Sequence, residues 1–135
     1  MKRDIQKRIP IVAIDFDDTC CVDKYPYVGE EIEGASDTIK YISSLGYRLV
    51  LWTCREHIDY QGQDPLQNAL DWFASKGISL YAINNDPDIE NYGYIPSRKI
   101  HADYLIDDKA IGIPKKNGII NWKAIRHFFR LLNLH

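Results

Sequence analysis

Ile11-Val12-Ala13-Ile14-Asp15-Phe16-Asp17-Asp18-Thr19 is the stretch on which the fold turns. Its first four residues are all apolar and mostly branched or small, the pattern of a strand buried on both faces of a parallel sheet. The run then stops in three carboxylates within four positions, Asp15, Asp17 and Asp18. Like charges held that close repel, so such a strand end calls for a cation, a shared proton or solvent. The first two of these are also tools of phosphoryl transfer. An acidic turn after a strand is equally an ordinary exit of the chain into water. Tyr104-Leu105-Ile106-Asp107-Asp108 repeats the grammar of a short apolar run ending in paired carboxylates, and two such ends in one small chain point to a common site.

Outward from this first strand, predicted over residues 9–14, the pattern alternates. Residues 47–52 form a second buried strand ending at Thr53, residues 80–83 a third, Tyr104–Ile106 a fourth and residues 111–113 a fifth. Ser36 is placed to cap a helix whose apolar face is Ile39, Ile42 and Leu45 and whose stop is Gly46. Asp64-Pro65 is a strong helix start, with Leu66, Ala69, Leu70 and Phe73 on one stripe and Gly77 beyond. Asn121 is placed to cap a final helix carrying Ile125, Phe128, Phe129 and Leu132. Pro87, Gly93 and Pro96 disfavour a regular crossover helix in residues 84–98. This alternation predicts an α/β fold: one Rossmann-like, three-layer α/β/α domain over residues 1–135, with a mainly parallel sheet. Open sheets of this kind bind ligands beyond the carboxyl ends of their strands. Asp15, Asp17, Thr53, Asp107 and Asp108 all fall at such ends.

A chain of 135 residues is of one-domain size, and 45% hydrophobic with 27% charged residues is the balance of an ordinary globular protein. A net charge of -2 argues against a hold on nucleic acid or membrane by bulk electrostatics, leaving nucleic-acid contact to a local basic patch. The basic amino end precedes an apolar run too short for a signal peptide or a membrane span. Cys20, Cys21 and Cys54 give neither a disulfide framework nor zinc spacing, so the reducing cytoplasm is the expected location. No Cys precedes an Arg by six positions, and no glycine-rich phosphate loop is present. Asp86, Asp88 and Glu90 lack the glycine a calcium loop needs, and the histidines show no metal-ligand spacing. Cys20 and Cys54 both lie near the acidic strand ends in sequence, which raises oxidation sensitivity as an expectation.

Taken together, the motifs resemble those of the haloacid-dehalogenase-like superfamily of phosphohydrolases. Asp15-Phe16-Asp17-Asp18-Thr19 looks like its first motif, Thr53 after an apolar strand like its second, Lys99 like its third, and Asp107-Asp108 like its fourth. The resemblance runs from about residue 9 to residue 108. The spacing of eight positions from Lys99 to Asp107 is short, and with the run Ala102-Asp103-Tyr104-Leu105-Ile106-Asp107-Asp108 it is similar to the deoxyribonucleotidase branch.

The resemblance implies a Mg²⁺-dependent phosphatase. Asp15 would attack phosphorus, and Asp17 would act as general acid and then base. Mg²⁺ would be held by Asp15, the Asp17 main-chain carbonyl, Asp107 and Asp108. Thr53 and Lys99 would bind phosphoryl oxygens, and Arg55 would reach a second phosphate or the leaving group, or else pair with Glu56 at the rim. Thr19 would brace the loop. Residues 20–35 have room only for a turn and a flap, so no cap domain is expected. The site would be open, closed by a second subunit in a homo-oligomer, or used on a bulky substrate. Nucleotide, sugar phosphate and macromolecular end all stay open as substrates. Tyr25, Pro26 and Tyr27 in the flap would stack on a base or sugar, or pack the flap against the body or a second subunit. The rival readings are a phosphate-ligand-binding or scaffold protein without turnover, and a phosphotransferase to an acceptor other than water.

Overall fold

The computed structural model of the protein describes residues 9–88 and 99–133. Along the chain run β1 (Ile11–Ile14), β2 (Cys21–Lys24), β3 (Tyr27–Glu31), α1 (Ala35–Ser44), β4 (Arg48–Leu51), α2 (Pro65–Ser75), β5 (Ala82–Ile83), β6 (Tyr104–Ile106), β7 (Lys115–Lys116), β8 (Ile119–Ile120) and α3 (Trp122–Leu132). Four of the strands form one sheet in the order β5-β4-β1-β6, and every pairing in it is parallel. The architecture is the small Rossmann-like α/β fold that the alternation of elements predicts.

The order of the strands places the helices. From β1 to β4 to β5 the chain steps in one direction, and right-handed crossovers taken in one direction put their helices on one face. Ile39 and Ile42 of α1, Leu66, Ala69 and Phe73 of α2, and Ile125 and Phe129 of α3 all join the apolar cluster of Val12, Ile14, Leu49 and Leu51. Truncating a strand residue there, such as Leu49, costs about 2–5 kcal/mol through lost burial and the cavity left behind. The opposite face, Ile11, Ala13 and Val50, packs on Ile100, with Trp52, Ala82 and Ala102 around it. The expected helical layer on that face is absent among the described residues, where a loop supplies the cover. Residues 89–98, in the stretch expected to be irregular, lie outside those described.

Two of the three expected helix starts hold. Asp64 accepts the Gln67 amide and Asn121 accepts the Ala124 amide, each closing an open helix end. At α1 the cap differs from expectation. Gly34 at φ 85 precedes the helix, and Ser36 lies inside it, its amide and hydroxyl both donating to the Glu31 carboxylate. Residues 111–113 are not a strand, and Ile111 is fully exposed. The pairing comes later, as the β7–β8 hairpin around Asn117 and Gly118, both at positive φ. Among the described residues no helix is long and apolar enough to cross a membrane.

Sheet order reverses at β1. The chain leaves on the β4 side and returns with β6 on the other, so the crevice beyond the carboxyl ends of β1 and β6 is the switch point where such sheets bind ligands. Asp15 follows β1 and Asp107 follows β6.

Candidate active site

The loop after β1 is a tight reversal. The Phe16 carbonyl accepts the amides of Thr19 and Cys20 at 3.2 and 2.8 Å, and Asp18 takes the left-handed conformation that a short polar side chain tolerates. Phe16 is buried against Trp72 and Phe73. Asp15 and Asp17, on either side of it, are half-buried.

Thr19 ties the two acidic strand ends together. Its hydroxyl lies 2.9 Å from Asp15 Oδ2 and 3.2 Å from Asp108 Oδ1, one proton serving both, and it accepts the Asp108 amide at 3.0 Å. Trp122 Nε1, at the start of α3, donates to the Thr19 carbonyl at 2.7 Å. The expected brace is therefore present, and the last helix anchors it.

Asp15, Asp107 and Asp108 each offer an oxygen within 4.8 Å of the others. Burial is the main reason that the Asp15 carboxyl is pushed up to about 7, the charge of Asp107 and the contact with Asp108 add to it, and bonds from Thr19 and the Phe16 amide oppose it. A cleft of about 460 Å³ opens beside the cluster, lined by Asp15, Asp107, Thr53, Trp52, Glu56 and Asn84 among others. A second hollow, of about 360 Å³, lies in the loop from His57 to Asp64 and contains none of the cluster.

Asp15, Thr53 and Asp107 thus meet at one cleft, with Asp108 beside them. The Thr53 hydroxyl oxygen accepts the Arg55 amide at 3.1 Å, which leaves its proton free to donate into the cleft. Lys99 is exposed and does not line the cleft, and no lysine does among the described residues.

Arg55 is the largest departure from expectation. It is buried and pairs with Asp17, not with Glu56 at the rim: Nε donates to Asp17 Oδ2 at 3.0 Å and Nη2 to Oδ1 at 2.7 Å. Its other N–H groups go to the carbonyls of Pro26, Tyr27 and Pro65 at 2.7 to 3.0 Å. A guanidinium so occupied has no donor left for a substrate phosphate, and the phosphate-binding role expected of Arg55 is withdrawn. Asp17 accordingly faces Arg55 with both oxygens.

The expected flap is the β2–β3 hairpin, and no cap domain is inserted there. Pro26 at its tip is buried, and the Pro26 carbonyl also accepts from Asn68 Nδ2 at 3.0 Å. The Tyr25 ring meets Tyr60 at 5.4 Å. Pro26 thus packs the tip against the body, while the Tyr25 and Tyr27 rings stay largely exposed. Gly29 allows the strands to close, since a Cβ there would collide with the Val22 carbonyl.

Asn84, at positive φ at the end of β5, escaped the sequence reading. Its Oδ1 accepts the Thr53 amide at 2.7 Å and its Nδ2 donates to the Arg55 carbonyl at 3.3 Å, fixing the loop that presents Thr53. The available signal was a pair of asparagines closing an apolar run. Cys20 is buried with its thiol 3.4 Å from the Asp15 carbonyl, whereas Cys54 is exposed at the cleft.

No family model matches the chain, and no curated protein does. Among solved structures it is similar to a conserved protein coded by a locus of Bacteroides thetaiotaomicron, at 34% identity over 93% of each chain and a TM-score of 0.73. The chain belongs to the family of that conserved protein.

Proposed function

We propose that the protein is a Mg²⁺-dependent phosphomonoester hydrolase that works through an aspartyl-phosphate on Asp15. The observation that carries this reading is the convergence of Asp15, Asp107 and the Thr53 hydroxyl on one cleft at the sheet's switch point. The resemblance of the four motifs to the haloacid-dehalogenase-like phosphohydrolases supports it.

The donor set fits the cation. Asp15, Asp107 and Asp108 offer only oxygen, the ligand type of hard divalent ions, and the Asp17 main-chain carbonyl would join them. Bound there, Mg²⁺ supplies charge neutralisation between the carboxylates and an incoming phosphate. The chain's own groups do the rest. Asp15 Oδ attacks phosphorus and the ester oxygen departs with a proton from Asp17, the Thr53 hydroxyl donating to a phosphoryl oxygen. Water then attacks the aspartyl-phosphate, gives a proton to Asp17 and releases phosphate and the free Asp15 carboxylate. The substrate class is a phosphate monoester, with nucleotide, sugar phosphate and macromolecular end in that order. All three cysteines are free, which suits the cytoplasm.

One observation favours a rival, a phosphate-ligand-binding protein without turnover: Arg55 takes both oxygens of the carboxyl that should pass the proton. Phosphate release separates the two. Wild type and Asp15→Asn are assayed on an aryl phosphate and then a panel of phosphometabolites, with Mg²⁺ and with chelator. Metal-dependent release that vanishes in Asp15→Asn is the expected result. Release at the wild-type rate by Asp15→Asn ends the nucleophile assignment, and no release from any substrate favours the binding protein.

A further inference from the structure

The β2–β3 hairpin and the carboxylate of Asp17 meet on a single side chain. The five N–H groups of a guanidinium all find acceptors at Arg55: two on Asp17, one each on the Pro26 and Tyr27 carbonyls at the hairpin tip, and one on the Pro65 carbonyl at the start of α2. The Phe16 and Tyr25 rings lie 4.9 and 5.4 Å from its Cζ, on the loop of Asp17 and on the tip respectively. The donor fork is planar and rigid, so it cannot follow one acceptor without changing its geometry toward the others.

We propose that Arg55 is a positioning residue that couples the hairpin tip to Asp17, the seat of the tip fixing the plane of that carboxyl. The coupling follows from the bonds alone. Its kinetic consequence rests on the phosphatase reading above. Where Asp17 must meet the leaving oxygen, an error of about 1 Å in its placement costs on the order of 10²-fold in rate. Substrate phosphate, bound by other groups, is not affected. Asn68 acts on the same linkage from the far side, through its bond to the Pro26 carbonyl.

Two arms test this. In the kinetic arm, Arg55→Lys keeps the charge but not the fork, and kcat falls roughly 10²-fold with KM little changed, the loss being greater for alkyl than for aryl phosphates. Asn68→Ala gives a smaller loss of the same kind. A rise in KM at unchanged kcat in Arg55→Lys means that Arg55 binds phosphate, and overturns the proposal. In the second arm, hydrogen exchange is followed in Asp17→Asn and needs no substrate. Hairpin amides over residues 21–31 exchange faster relative to those of α3, and a uniform change or none overturns the coupling. A wild type without phosphatase activity defeats the proposed reaction, while the exchange arm still decides the coupling. If Arg55→Lys does not fold, Asp17→Asn and Asn68→Ala carry the test.

Discussion

Asp15 and Asp17 are two residues apart on one loop, yet their electrostatic surroundings are opposite. Asp15 is half-buried beside Asp107 and Asp108, and no basic side chain lines its cleft among the described residues. Asp17 has its charge matched by a guanidinium that is itself shut away from water. Asp15 faces Asp107 and Asp108 at the sheet's switch point, Asp17 faces Arg55 and the hairpin, and Phe16 between them is buried. Among the described residues, a site built this way leaves one carboxylate without a countercharge and gives the other one from within.

The largest effect that bears on this contrast is on activity. On the proposed phosphatase reading Asp15→Asn removes the attacking oxygen, and phosphate release is expected to fall to the background of the assay. Its effect on stability has the other sign: without added cation, the variant is at least as stable as wild type above pH 7, because the ionised carboxylate it replaces is unfavourable there. Asp17→Asn is expected to lose about 3 kcal/mol in denaturant unfolding, since it strips the countercharge from buried Arg55. If the two variants shift stability in the same direction, the contrast between the carboxyls is wrong.

Thr19→Val is next, at about 1–3 kcal/mol, because it leaves the Asp108 amide without its acceptor. A change near zero would mean that water replaces the hydroxyl.

The pH dependence sharpens the comparison further. Folded Asp15 binds its proton up to about 7, against 3.8 for an ordinary aspartate, so across that window the folded state holds more protons than the unfolded one. Stability contributed by this group is therefore present below the window and falls as pH rises through it, levelling above 7. In chelator, Asp15→Asn should flatten that part of the profile. Asp107→Asn should shift its upper end downward without abolishing it, burial being the larger cause. A profile identical in all three proteins would remove Asp15 as its source.

Much of this was legible in the chain because local chemistry agreed with the fold. The apolar run of β1, the Asp64-Pro65 start of α2 and the Asn121 cap of α3 each act within a few residues. The cluster of Asp15, Asp107 and Asp108 followed from strand ends and the switch-point rule. The errors came where a distant partner decides. Ser36 looked like a cap, but Glu31 supplies the acceptor from the preceding hairpin. Arg55 looked like a phosphate-binding or rim residue because nothing in its neighbourhood says that the Pro26 and Tyr27 carbonyls fold onto it. The β7–β8 hairpin is different, since Asn117-Gly118 is a strong local turn signal, and the apolar residues 111–113 drew the strand away from it.

The smallest effect concerns the thiols, and it probes the same loop. Burial pushes Cys20 well above the ordinary thiol range and Cys21 up to about 12, and alkylation needs a thiolate that the reagent can reach. Cys54 is exposed beside Thr53. Brief treatment of the native protein with iodoacetamide should therefore label Cys54 alone, and denaturant should release the other two. The oxidation sensitivity expected of Cys20 is confined in the same way to states in which the loop has opened. Because the Cys20 thiol sits on the Asp15 carbonyl, its labelling rate reports how often the loop after β1 comes apart. Native labelling of Cys20 as fast as Cys54 would mean that repulsion among the uncompensated carboxylates opens the loop, and the brace through Thr19 and Trp122 would be too weak for the role given to it.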